Sequence, residues 1–170
     1  MRLFTAIELP QHASPALIAL IDHLRPLAKL AWTPPEKLHI TTKFIGEYPQ
    51  PRLSDLVQAL SSVAVSHPID ITILRLGWLP SPRFPLTLFA AVERTESLHA
   101  LATATDRALQ PLGIAPEQRI YRPHVTLARM RSRRREPLPE LHAEIAKLAL
   151  LDFASFQAPS FHCRSKVESS

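Results

Sequence analysis

The sequence predicts a protein of strands and helices, divided into two internally related lobes that face each other across a groove. Apolar residues alternate with polar ones in some segments and recur every three or four residues in others, which indicates strands and helices respectively. Each half contains one His-x-Thr triplet in a strand-like segment, and the two triplets lie 124 − 39 = 85 residues apart. We therefore expect a single two-lobed domain over residues 1–170, with repeat units of approximately 1–80 and 81–170.

In the first half the patterns predict three strands and two helices. The strands are 3–9, 38–45 and 69–76, and the helices are 14–26 and 53–63. Ser14-Pro15 supplies an N-cap and a first-turn proline for the first helix, and Gly46 closes the second strand. Three prolines between 80 and 85 predict a loop, where we place the boundary between the units.

The second half repeats this order. Strands are predicted over 86–92, 121–128 and 161–164, and helices over 98–112 and 141–148. Gly113 is the expected C-terminal stop of the first of these helices. The 85-residue offset takes the segment 4–8 onto 89–93 and Ile40-Thr41 onto Val125-Thr126. This common register indicates a duplicated strand–helix–strand unit whose repeated strands face each other across the groove.

The two triplets carry the candidate chemistry. Residues two apart on a strand share a face, so His39 lies beside Thr41 and Lys43, and His124 lies beside Thr126. One histidine can act as a neutral base while the other acts as a protonated acid. Their threonines can donate to phosphate oxygens. In-line displacement at phosphorus, with one imidazole for each moving oxygen, suits this arrangement.

Composition narrows the classes of protein. The net charge of +5 and a pI near 9.9 favour a polyanionic partner such as RNA. The three glycines are too few and too scattered for a Walker loop or a dinucleotide fingerprint. The single cysteine, Cys163, and the lack of a long apolar run predict a cytoplasmic protein that does not bind a membrane.

Basic residues near the motifs are candidate RNA-phosphate ligands. Lys43 follows the first motif, and Arg122 and Arg129 flank the second. A basic run over 131–135 is either a solvated turn or a further phosphate contact.

The motifs His39-Ile40-Thr41-Thr42 and His124-Val125-Thr126-Leu127 resemble the paired His-x-Thr-x motifs of the 2H phosphoesterases. The segments 2–10, 38–47, 80–83 and 122–129 resemble the RNA 2′,3′-cyclic phosphodiesterase branch, also called LigT-type 2′-5′ RNA ligases. The resemblance covers nearly the whole chain, to about Ser165. It implies an α+β fold of two pseudo-symmetric lobes, each an antiparallel sheet with outer helices, around a central groove.

The resemblance also implies an activity, the hydrolysis of RNA 2′,3′-cyclic phosphate ends to 2′-phosphomonoesters without a metal or cofactor. In that family the first histidine, here His39, is the proton donor to the leaving 3′ oxygen. The second, here His124, is the proton acceptor that activates water. A reversible 2′-5′ RNA ligase and a non-catalytic RNA-binding module remain as alternatives.

Two features depart from the family pattern. Thr42 replaces the usual apolar fourth residue of the first motif, which we expect to affect packing rather than chemistry. Family members usually continue beyond the serine matching Ser165 into another strand. We therefore expect a monomer whose exposed edge strand near 161–164 promotes self-association.

Overall fold

Four α-helices and eight strands make up the fold in the part of the chain that the structure describes. We obtained a computed structural model, which describes residues 1–63, 68–131, 138–148, 153–158 and 160–165. The strands are β1 (Arg2–Glu8), β2 (Ala31–Trp32), β3 (His39–Glu47), β4 (Ile69–Ser81), β5 (Phe84–Val92), β6 (His124–Arg129), β7 (Ala154–Ala158) and β8 (His162–Ser165). The helices are α1 (Ser14–Leu24), α2 (Leu53–Ser61), α3 (Glu96–Leu109) and α4 (Pro139–Leu148).

The strands form one antiparallel sheet in the order β7-β4-β5-β6-β3-β1-β8, with β2 added on β6. The predicted α+β class with an antiparallel sheet is therefore confirmed. The motif strands do not face each other across a gap as expected. They are neighbours in the sheet, and β3 pairs with β6 at one position, Ile40 opposite Val125. The groove lies where these two strands diverge.

The β3–β6 contact divides the strand order into two parts, and each part combines strands from both halves of the chain. On one side, β1 and β3 are bordered by β8, which comes from the end of the described chain. On the other side, β5 and β6 are bordered by β4, which comes from the first half. Among the described residues β8 is the outermost strand on its side. Residues 166–170 lie outside the described ranges, so edge-strand self-association stays a prediction.

Several predicted details differ from the structure. The segment 80–85 is not a loop, because β4 runs to Ser81 and β5 begins at Phe84 in a tight hairpin. Pro80 can be part of this hairpin because it lies opposite Pro85, so neither residue has to supply an amide hydrogen to the other. Ser14 is not the N-cap of α1; Ala13 occupies that position. Strands β2 and β7 were not predicted.

The helices cover the sheet with two clusters of apolar residues. The larger cluster combines apolar residues of α1 and α4 with residues from strands on either side of the β3–β6 contact, including the paired Ile40 and Val125. The smaller cluster joins Leu56 and Leu60 of α2 to Leu109 of α3 and Leu3 of β1. In the described residues no helix is long and apolar enough to span a membrane.

Thr42, the unusual fourth residue of the first motif, has a partner in the core. Its hydroxyl lies 2.7 Å from that of Thr5 on the neighbouring strand, and both side chains are buried. The 85-residue offset takes this pair onto Ala90 and Leu127, both of which are apolar and buried. A hydroxyl–hydroxyl pair thus stands where the other half of the chain has an apolar pair, which agrees with the expected packing role.

The threonine pair should show strong coupling in unfolding experiments. T5V or T42V alone leaves one buried hydroxyl without a partner, which costs about 1–3 kcal/mol, whereas T5V/T42V removes both groups and restores most of that loss. Urea unfolding of the four proteins measures the coupling. Strictly additive single losses would contradict the pairing.

Candidate active site

His39 and His124 are brought together by the contact between β3 and β6. Each is the first residue of its strand and directly precedes one member of the Ile40–Val125 pair. They therefore lie diagonally across the strand contact on one face of the sheet, where such neighbours are about 7–8 Å apart. Positive charge on His124 contributes to lowering the pKa of His39, in keeping with this separation.

The two threonines complete a four-residue arrangement. In the antiparallel register set by the strand contact, His39 lies across from Thr126 and Thr41 lies across from His124. All four side chains are partly exposed, whereas the intervening residues are buried. Two imidazoles and two hydroxyls thus lie, partly exposed, on two neighbouring strands.

Both imidazoles are held by the same backbone interaction. Nδ1 of His39 lies 2.7 Å from the carbonyl oxygen of Lys37, and Nδ1 of His124 lies 2.8 Å from that of Arg122. A carbonyl only accepts hydrogen bonds, so Nδ1 carries the hydrogen in each ring. Nε2 is then the nitrogen that gains and loses a proton in both histidines.

A β-bulge follows each His-x-Thr triplet and changes which side chains share its face. Thr42 in β3 and Leu127 in β6 are each the extra residue in the pairing with the neighbouring strand. These positions are equivalent under the 85-residue offset. Beyond the bulge, the strict alternation on which the sequence prediction relied no longer applies.

Lys43 is the first residue affected, and its predicted position beside His39 is wrong. Its ammonium group is buried, 2.6 Å from a carboxylate oxygen of Asp106 on α3 and 2.8 Å from the carbonyl oxygen of Ala115. Lys43 therefore links β3 to α3 and to the loop that follows α3, both of which precede the second motif. It is not available to bind a phosphate in the groove.

Phe44 and Arg129, the second residues after the two bulges, lie on the histidine face. Phe44 is 63% exposed, and its ring lies 6.2 Å from that of Phe4, which is 4.9 Å from the ring of His39. The Arg129 guanidinium donates to the Thr87 hydroxyl at 3.3 Å and acts electrostatically on both histidines. Phe44 thus reaches His39 only through a contact with Phe4, whereas the Arg129 cation acts on both imidazoles.

A second aromatic contact supports His124. The ring of Phe89 meets it edge to face, with centroids 5.5 Å apart. Phe89 is paired with Gly77 on the adjacent strand, and a Cβ at Gly77 would lie 2.6 Å from the Phe89 ring. Gly77 therefore provides the space in which Phe89 lies.

Arg164 is a site residue that the sequence did not reveal. It lies on β8 opposite Phe4, forms an ion pair with Glu8 at 3.5 Å, and acts electrostatically on His39. No motif marks it, because its strand is contributed from more than a hundred residues away.

The remaining candidates lie around the second motif. Arg122 is exposed, and its carbonyl oxygen accepts the hydrogen bond from His124. Tyr121 is partly buried, and its hydroxyl donates to the carbonyl oxygen of Thr41, linking the segment before β6 to β3. In the basic run, Arg131 donates to the carbonyl oxygen of Leu30 at 3.4 Å. Residues 132–137 lie outside the described ranges.

Burial lowers the pKa of both His39 and His124, because the charged ring loses hydration. The backbone hydrogen bonds oppose this effect and favour the protonated rings. Positive charge on Arg129 lowers both pKa values further, whereas Arg164 lowers only that of His39. Both histidines are therefore predominantly neutral at pH 7 before an anion binds.

Neutral variants of the two arginines should separate these effects. R164Q removes a positive charge near His39 alone, so the pKa of His39 should rise while that of His124 stays constant. R129Q should raise both values. NMR titration of the ring protons measures each histidine, and R25Q, on the exposed end of α1, is the control. Equal shifts of both histidines in R164Q would contradict the geometry.

Comparison with known proteins agrees with this arrangement. The sequence profile of the LigT-like phosphoesterase family matches the chain twice, over residues 7–89 and 88–162. A protein of Thermus thermophilus named RNA 2′,3′-cyclic phosphodiesterase is 30% identical, over 83% of this chain and 72% of its own. One of the same name from Methanothermobacter thermautotrophicus is 29% identical, over 85% and 80%. The crystal structure of a T. thermophilus protein superimposes with a TM-score of 0.80 and 25% identity, covering 99% of this chain and 91% of that one. The chain therefore belongs to the LigT-like phosphoesterase family.

Proposed function

We propose that this enzyme hydrolyses the 2′,3′-cyclic phosphate end of RNA to a 2′-phosphomonoester. The observation that carries the proposal is the matched pair of imidazoles, each tethered through Nδ1 to the carbonyl oxygen two residues earlier. Both Nε2 atoms are thereby free to exchange protons on either side of one phosphate. The names of the family relatives support the cyclic phosphate as substrate.

The reaction needs two proton transfers, one on each side of phosphorus. Neutral His124 removes a proton from water through Nε2 as the water oxygen attacks phosphorus. The bond between phosphorus and the 3′ oxygen breaks, and protonated His39 gives its Nε2 proton to that oxygen. The products are a 2′-phosphate and a 3′-hydroxyl. The charge of Arg164 makes protonated His39 a stronger acid, which supports this assignment of roles.

The surrounding groups match the charge of the substrate. The hydroxyls of Thr41 and Thr126 can donate hydrogen bonds to the two non-bridging phosphate oxygens. The positive charge of Arg129 can stabilise the negative charge that develops on these oxygens. A bound phosphate anion also raises the pKa of a nearby histidine, which supplies the protonated acid at neutral pH. Exposed Arg122 offers a contact for the RNA backbone.

The RNA-related substrate fits the net charge of +5. We further propose that the protein acts as a cytoplasmic monomer of two repeat units, without a metal and without binding a membrane. The double match of the family profile supports the repeat. The two histidines account for every proton transfer, so no step requires a metal.

Loss of either histidine should remove most of the activity. H39A and H124A should each lower kcat about 10²–10⁴-fold, the typical contribution of a positioned acid or base. H99A, which changes an exposed histidine of α3, is the matched control. The assay uses a short RNA with a 2′,3′-cyclic phosphate end and identifies the product by its resistance to a 3′-phosphatase. Turnover that survives both substitutions, or that EDTA abolishes, would refute the mechanism.

Gly77 should prove necessary for the orientation of His124. G77A places a methyl group where the Phe89 ring lies, so the ring must move against the imidazole. We expect kcat to fall at least tenfold with little change in KM, and the double variant G77A/F89L to recover most of it. Steady-state kinetics of the unmodified enzyme, G77A and G77A/F89L measure this. Equal activity of G77A and the unmodified enzyme would show that the contact has no role.

A further inference from the structure

A cavity of about 420 Å³ lies at the end of β3 opposite to His39, next to Phe44. It is bounded by residues 43–49 of and after β3, by Arg52, and by the loop 112–117 that follows α3. Phe44 forms one of its walls, and the ring of Phe4 lies near the rings of both Phe44 and His39. A chain bound at the two histidines can therefore continue past Phe44 into this cavity.

The walls of the cavity are held in place by polar contacts around Lys43 and Asp106. Lys43 binds both Asp106 and the carbonyl oxygen of Ala115, which fixes the loop against β3. The other carboxylate oxygen of Asp106 accepts a hydrogen bond from the backbone amide of Glu117. The cavity is thus formed before a ligand arrives, and its volume is within the usual range of about 300–1,000 Å³ for ligand sites.

The lining combines an aromatic face with an accessible cation. Phe44 is largely exposed, and the Arg52 guanidinium lies 5.9 Å from the centre of the Tyr48 ring with half of its side chain accessible. Tyr48 itself is 5% exposed, and its hydroxyl has no hydrogen-bond partner among the described residues. Aromatic rings stack on any base, and an arginine adds a phosphate contact.

The charges limit how much nucleic acid the cavity can hold. Glu47 and Glu117 also line it, and their carboxylates repel additional phosphates while accepting hydrogen bonds from the amino groups of a base. This combination fits a single nucleotide and disfavours a long track along the RNA backbone.

We propose that this cavity binds the nucleotide on the 5′ side of the one that carries the cyclic phosphate. The inference rests on the proposed function, because it deepens the specificity of the same site. Its consequence is a preference for an RNA end over a free cyclic mononucleotide. In the bound RNA, the base of the penultimate nucleotide stacks on Phe44 and its phosphate meets Arg52.

The test compares two substrates, adenosine 2′,3′-cyclic phosphate and the dinucleotide ApA with the same cyclic end. The enzyme should prefer the dinucleotide at least tenfold in kcat/KM. A115W, which fills the cavity, and R52Q, which removes its cation, should abolish this preference and leave the mononucleotide unaffected. I120W, at an exposed residue outside the cavity, and R25Q, which like R52Q removes an arginine paired with a nearby aspartate, are the matched controls.

Dissociation constants for the corresponding 2′-phosphates, measured by calorimetry, test the cavity separately from the proposed hydrolytic function. An enzyme that binds ApA 2′-phosphate at least tenfold more tightly than adenosine 2′-phosphate, with the difference lost in A115W, supports the cavity even if neither cyclic substrate is cleaved. Cleavage of both substrates with equal kcat/KM would overturn the cavity and leave the proposed function intact. An undiminished preference in both A115W and R52Q would also overturn it.

Discussion

The active site depends on one backbone contact, the pairing of Ile40 with Val125 between β3 and β6. Both side chains are fully buried, so the register is fixed by the core and not by the groove. A slip of one residue would exchange the buried and exposed faces of a strand and remove its histidine from the site. The hydrogen bond from Tyr121 to the Thr41 carbonyl oxygen crosses the same junction. The spacing of the two histidines is therefore set by the hydrophobic core.

Much of this site could be predicted from the sequence because its parts are local. Alternation over a few residues is enough to put His39 and Thr41 on one face and Ile40 in the core, and the structure agrees. The offset between the two halves identified the second histidine as its partner. The helices α3 and α4 were also predictable, because each has a regular apolar stripe and α3 is followed by Gly113, which adopts a left-handed conformation.

The errors arise where pairing between distant strands decides the outcome. A bulge adds one residue to a strand, and the residue type of Thr42 does not predict one. Yet that single residue directs Lys43 into an ion pair and Phe44 toward the histidines. Arg164 was missed for a related reason, since its proximity to His39 exists only once β8 has joined β1. Periodicity along the chain carries no information about either event.

The strand order also constrains when the protein can complete its sheet. Leu3 pairs with Ser165, so strand β1 leaves the ribosome long before the strand that covers its outer edge. Contacts between residues so far apart in sequence raise the contact order and slow folding. Until β8 pairs with β1, the edge of β1 is open to mispairing with other chains. The nascent chain is therefore prone to mispairing at the edge of β1 during synthesis, until β8 covers that edge.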